Sequence, residues 1–104
     1  EIGDCAFYRC SNLREVILNE GLQKIGNGAL CNCETLDAVT LPSTLTEIGD
    51  YAFNSCSDLR EFIFNNGMQK IGDCSFSRCT SLESITLPST VVEIGDNAFS
   101  RCRD

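Results

Sequence analysis

Residues 47–59 read Glu47-Ile48-Gly49-Asp50-Tyr51-Ala52-Phe53-Asn54-Ser55-Cys56-Ser57-Asp58-Leu59, and this phrase returns along the chain at a fixed step. Ile-Gly occurs at Ile2, Ile25, Ile48, Ile71 and Ile94, always 23 residues apart. Cys10, Cys33, Cys56, Cys79 and Cys102 keep the same step, as do Phe7, Leu30, Phe53, Phe76 and Phe99. Four further apolar rows begin at Leu13, Val16, Leu18 and Leu22 and run on without a slip. Chance does not produce so many parallel rows. A fixed period of this length marks stacked coils, each too small to bury its own apolar face and each burying it against its neighbours.

Within a coil, Ala52, Phe53, Cys56 and Leu59 have helical spacing, with Asp50 placed as an N-cap, which predicts a short helical turn. Residues 61–64 alternate and are β-prone, which predicts a short strand. Pro42 and Pro88 stop the strands before them. Asn19 and Asn65, each two residues before a glycine, do the same with turn chemistry. The expected architecture is an α/β solenoid of 23-residue coils, with a parallel strand row on one face and short helical turns on another. Residues 1–104 form a single domain of about four and a half coils. The chain starts and stops inside a repeat with no polar capping coil in view, so the expectation is a piece of a longer array.

The pattern Ile-Gly-Asp-x-Ala-Phe-x-x-Cys-x-x-Leu-x-x-Val-x-Leu-Pro resembles the BspA-type (Treponema pallidum-type) leucine-rich repeat over the whole chain, most clearly at 47–59 and 80–99. The units at Asn19 and Asn65 lack the proline, and Leu30 stands where a Phe is usual. The resemblance implies right-handed coils, a parallel strand row, use in adhesion or protein binding, and a cell-surface or extracellular setting. It carries over no catalytic residue, because the motif contains only core and turn positions.

A second period of two coils overlies the first. Gly21-Leu22-Gln23-Lys24-Ile25 returns as Gly67-Met68-Gln69-Lys70-Ile71, and Leu41-Pro42-Ser43-Thr44 as Leu87-Pro88-Ser89-Thr90. Equivalent residues of adjacent coils sit about 4.8 Å apart, so like charges in a row repel. The row Glu1, Lys24, Glu47, Lys70, Glu93 alternates in sign, and so does Arg14, Asp37, Arg60, Glu83. The row Asp4, Asn27, Asp50, Asp73, Asp96 does not. Capping of backbone N–H groups is the expected reason. A calcium ladder is the sharper alternative, but one ligand per coil is sparse for an ion that wants six to eight oxygens.

Of eight cysteines, five lie in the periodic row and are expected inside the coil, where a small, partly apolar side chain fits. Cys5, Cys31 and Cys74 lie off it. Zinc would need finger-like pairs, which the spacings do not supply. Disulfides between neighbours in the row are disfavoured, because parallel Cβ atoms about 4.8 Å apart are wider than a bridge prefers, and the local candidates are Cys5 with Cys10 and Cys74 with Cys79. Core thiols are compatible with cytosol or exterior.

No histidine is present, so neither a Ser/His nor a Cys/His catalytic pair exists within the chain. A formal net charge of −7 opposes binding to phosphate backbones or anionic lipid and gives some preference for basic partners. No apolar run approaches a membrane span. The expectation is a scaffold that is not an enzyme, uses no cofactor or metal, and takes an unidentified protein ligand. A structural spacer inside a larger, enzymatic protein is the alternative. The candidate binding face comprises the outward strand positions Glu15, Ile17, Ala38, Thr40, Glu61, Ile63, Ser84 and Thr86. Ile17 and Ile63 are its informative members, although β-branched residues also simply suit exposed strands.

Overall fold

The computed structural model describes residues 1–60, 62–83 and 85–102. The 23-residue step becomes a physical register. Strands β1 (Glu15–Ile17) and β3 (Ala38–Thr40) pair in parallel, Val16 beside Val39. On a second side, β2 (Lys24–Ile25), β4 (Glu47–Ile48), β5 (Lys70–Ile71) and β6 (Glu93–Ile94) form a four-stranded parallel sheet in that order. Its rungs are Ile25, Ile48, Ile71 and Ile94, and Ile2 adds a bridge to Ile25. Each strand is only two or three residues long because each side of the coil is short. Stability therefore comes from stacking, not from any one ladder.

The apolar rows fill the inside of the stack. Ile25, Leu30, Leu36, Leu45, Ile48, Phe53, Leu59, Met68, Ile71 and Phe76 are essentially inaccessible to water. The phenylalanine row stacks ring on ring: Phe53 on Phe76 at 5.2 Å and Phe76 on Phe99 at 5.3 Å, with interplanar angles of 10° and 8°. Phe62 stands edge-on to Phe53 and Phe76 at 5.1 and 4.7 Å. Such offset and edge contacts add to the area the rings bury. Burial falls in the outermost coils, where Phe7, Leu87 and Ile94 have a neighbour on one side only and are 38–46% exposed.

The short helical turns expected at Ala52, Phe53, Cys56 and Leu59 do not form; there is no helix among the described residues. The segment is a chain of tight turns instead. Ala52, Asn54 and Cys56 donate to the carbonyls of Gly49, Tyr51 and Phe53, three residues back. The intervening N–H groups of Tyr51, Phe53 and Ser55 cross to the next coil, to Asp73, Ser75 and Ser77 at 2.7–2.9 Å. A helix would keep all of these bonds to itself. Here the neighbouring coil supplies acceptors at strand-like spacing, so alternate donors are satisfied between coils. Left-handed residues make this possible, and they recur with the repeat: Cys5, Gly28, Tyr51, Cys74 and Asn97 in one row, Arg9, Asn32, Ser55, Arg78 and Arg101 in another. A left-handed residue inside a regular α-helix is excluded by geometry.

Asp50 accordingly caps no helix of its own. Its Oδ1 accepts the backbone N–H of Asp73 in the next coil at 2.8 Å. Asp4 does the same for Asn27, Asn27 for Asp50, and Asp73 for Asp96, at 2.8–2.9 Å. A backbone donor thus meets each acceptor, which offsets the repulsion of a carboxylate column and explains why an Asn serves equally in one coil. Asn19 and Pro42 end β1 and β3 as read from sequence, but the strand expected at 61–64 is not formed over 62–64, and none leads into Pro88 among the described residues. The turn itself recurs in every coil: Asn19, Pro42, Asn65 and Pro88 each accept an N–H from three residues on, at Leu22, Leu45, Met68 and Val91. The two-coil period has its own bonds: Thr44 and Thr90 hydroxyls donate down to the carbonyls of Leu22 and Met68 at 2.7 Å. No helix among the described residues is long and apolar enough to cross a membrane.

Candidate functional site

The outward strand positions sit where the alternation places them. Glu15 and Ile17 flank half-buried Val16, and Ala38 and Thr40 flank half-buried Val39. In the third coil Ile63 is 70% exposed between Phe62 and Phe64, which are buried. Thr86 is exposed in the fourth. Glu61 and Ser84 lie outside the described residues. Ile17, at 65% exposed, and Ile63 are large apolar groups left in water on a face whose inner neighbours are core. The face therefore brings Glu15, Ile17, Ala38, Thr40, Ile63 and Thr86 to one surface.

A shallow trough of about 430 Å³ runs across three coils beside these columns, bounded by Arg14, Glu15, Thr35, Asp37, Ala38, Asp58 and Arg60. A second hollow of about 280 Å³, lined by Asp37, Ala38, Val39, Arg60 and Ile63, adjoins it. Small Ala38 contributes to both. Alternation in the sequence points to the columns at 15 and 17, whereas Arg14, Asp37 and Arg60 read there as a charge ladder only. The two sheets differ in this respect. On the four-stranded side the alternating charges meet across coils, Lys24 with Glu47 at 3.6 Å and Lys70 with Glu93 at 3.9 Å. On the β1–β3 side no ion pair joins Arg14, Asp37, Arg60 and Glu83 to one another among the described residues, and all four are exposed.

The cysteine row is inside, as expected. Cys33, Cys56 and Cys79 are buried, and Cys10 and Cys102 in the outer coils are half-buried. All eight cysteines are free thiols. Each inner sulfur also has a partner that the spacing did not reveal. Cys33, Cys56, Cys79 and Cys102 donate S–H to the carbonyls of Phe7, Leu30, Phe53 and Phe76, one coil below, at 3.0–3.2 Å. Those same carbonyls accept the N–H of Cys10, Cys33, Cys56 and Cys79 in their own coil. Both lone pairs are used, which a small weak donor can do without bulk. Burial pushes the Cys56 thiol far up and the Cys79 thiol from 9.0 to about 12. Burial and the bond to a carbonyl both favour the protonated thiol at Cys56 and Cys79. Among the described residues, no three His, Cys, Asp or Glu side chains gather as metal ligands would.

The raised thiol carries a stability consequence. A group kept protonated by folding leaves stability intact below its unfolded pKa and loses it as pH rises toward the folded one. For Cys79 that window runs from 9.0 to about 12. We expect the unfolding free energy, read from urea denaturation, to fall across it by about 1.4 kcal/mol per pH unit for this one group. A Cys79→Ala variant, measured over the same range, should lose that part of the slope.

A family model described as the BspA type leucine rich repeat region matches residues 1–104 in six copies. No curated protein matches the chain. Among solved structures, a leucine-rich-repeat protein of T. pallidum superposes with a TM-score of 0.94 at 38% identity, covering 95% of this chain and 46% of its own. A leucine-rich cell surface protein of Faecalibacterium prausnitzii A2-165 superposes with a TM-score of 0.77 at 28% identity, covering 97% of this chain and 34% of its own. The chain thus spans less than half the length of either. The family model covers residues 1–104, and the repeat and the parallel rungs between coils agree with it: the chain belongs to the BspA-type leucine-rich-repeat family.

Proposed function

We propose that the chain is a non-catalytic protein-binding or adhesion scaffold whose working surface is the β1–β3 face, in a cell-surface setting like that named for the Faecalibacterium prausnitzii protein. One observation carries the reading: isoleucines at 65% and 70% exposure stand on a face where, among the described residues, no ion pair joins Arg14, Asp37, Arg60 and Glu83 to one another, while the four-stranded sheet pairs Lys24 with Glu47 and Lys70 with Glu93. A rigid row of coils needs no reordering to bind, which lowers the entropic cost of association. Solenoids present extended faces in this way.

The test is a double substitution, Ile17→Lys with Ile63→Lys. Both side chains point to water, so folding stability should change by no more than about 0.5 kcal/mol in a thermal melt. Capture of protein ligands from cell extracts should be lost. Undiminished capture by the folded variant would end the proposal in favour of a spacer role. Collapse of folding would show that the inside and outside of the strands had been confused.

A further inference from the structure

Two columns of the β1–β3 face share one symmetry. Arg14, Asp37, Arg60 and Glu83 run plus, minus, plus, minus over four successive coils, all exposed. Ile17, Thr40, Ile63 and Thr86 run large, small, large, small over the same coils, again exposed. Read from the other end, each column becomes its own complement. We propose that this face mates with the same face of a second copy turned end for end, about a two-fold axis parallel to the strands. The partner is thus another molecule of this chain. The proposal uses the same surface as the function proposed above but does not depend on a foreign ligand for it.

The register follows from the columns. In this two-fold arrangement strand direction is kept and coil order is reversed, so a column faces its own copy. Arg14 then lies opposite Glu83 of the second molecule, and Asp37 opposite Arg60. In that same register Ile17 meets Thr86, and Ile63 meets Thr40. Large side chains thus alternate from the two sides and interdigitate. Charge and size select one alignment independently. Shifting it by one coil places Arg14 over Arg60, Asp37 over Asp37 and Ile17 over Ile63, so that like charges and bulky groups collide. Keeping coil order, with a two-fold axis along the stack, leaves every coil against its equivalent and offers no such complementarity. The two partners also share a spacing of about 4.8 Å by construction, a match that an arbitrary ligand would lack. A two-fold contact of one patch with itself is the commonest form of self-association.

The footprint sets the strength. Four coils are about 19 Å tall, and the strand with its flanks about 16 Å wide, which gives on the order of 300 Å² per molecule. A stable interface takes roughly 800 Å² from each partner, so this contact between single copies is weak, with a Kd on the order of 1 mM.

The experiment is sedimentation velocity on the purified chain from about 10 μM to about 2 mM, a range that spans such a Kd. Two variants accompany it, Arg14→Glu with Arg60→Glu, and Asp37→Arg with Glu83→Arg. Circular dichroism verifies that each is folded. The wild type should shift from monomer towards dimer across the range. Each variant alone, with a column of one sign, should stay monomeric. An equimolar mixture of the two should recover the dimer. A wild type monomeric throughout, a single-sign variant that dimerises like the wild type, or a mixture that fails to recover would each overturn the proposal. None of these outcomes bears on capture of a foreign protein, which the Ile17→Lys, Ile63→Lys variant reads separately.

Discussion

Replacing Phe76 with alanine should lower stability by about 3–5 kcal/mol, the largest loss expected from a single truncation in this core. Phe76 is wholly buried. It touches four other rings: Phe53 and Phe99 face to face, Phe62 and Phe64 edge-on, with centroids 4.7–5.7 Å away. Three coils therefore border the hole that alanine would leave. The backbone of each coil is pinned to its neighbours by hydrogen bonds, so the walls cannot move inward to fill it. Two terms add, the lost transfer of the ring and the unrelaxed cavity. In a chain of this size each kcal/mol shifts the melting temperature by roughly 4–8 °C. A fall of more than about 12 °C is expected by calorimetry. Phe76→Leu should recover most of it, since Leu30 fills the equivalent place in the second coil.

Gly72→Ala is the second large effect, and it acts through backbone, not core. The residue does not need glycine for its φ, which is not positive. It needs glycine for room. A Cβ there would lie 2.6 Å from the N and Oδ1 of Asp50 and from the carbonyl carbon of Gly49, in the coil below. Gly26 and Gly49 face the same crowding against Ile2, Asp4 and Asn27. Two of the three clashing atoms are main chain and cannot step aside as a side-chain tip would. The coils must part, which lengthens the Gly72 to Ile48 bond of 2.9 Å and breaks the cap from Asp50 to the N–H of Asp73. Overpacking of a close-packed contact costs about 1–3 kcal/mol, and the lost capping bond about 1 more. The expected total is about 3 kcal/mol, read as a lower urea midpoint. Gly3, with nothing within 4 Å, supplies the control: Gly3→Ala should be nearly neutral.

What could be read from residues alone was whatever recurs with side-chain identity. The Ile, Cys, Leu and Phe rows named the core and fixed which strand positions face out, and Val16, Ile17, Phe62 and Ile63 lie accordingly. The turn segment misled because Ala52, Phe53, Cys56 and Leu59 carry helical spacing, while the feature that forbids a helix is a backbone angle. Its rows are occupied by Cys, Gly, Tyr, Cys and Asn, and by Arg, Asn, Ser, Arg and Arg. Only Gly28, Asn32 and Asn97 belong to types that favour positive φ. The signal was too dilute to see. The Asp row was read correctly as a set of acceptors for backbone N–H, but its donor lies 23 residues on, in the next coil. That choice depends on stacking, which local pattern cannot express. The same holds for the candidate site. Two alternating charge columns look equivalent in sequence, yet among the described residues only the Lys24–Glu47 and Lys70–Glu93 side closes into pairs.

The central claim is that identical positions stack in columns, with the cysteine column turned inward. The eight free thiols are probes already in place. Residue-resolved alkylation of the native protein, read by mass spectrometry, should label exposed Cys5 first and leave Cys33, Cys56 and Cys79 unlabelled until the chain unfolds. Labelling of those three at the rate of Cys5 in the folded protein would contradict the stacked arrangement.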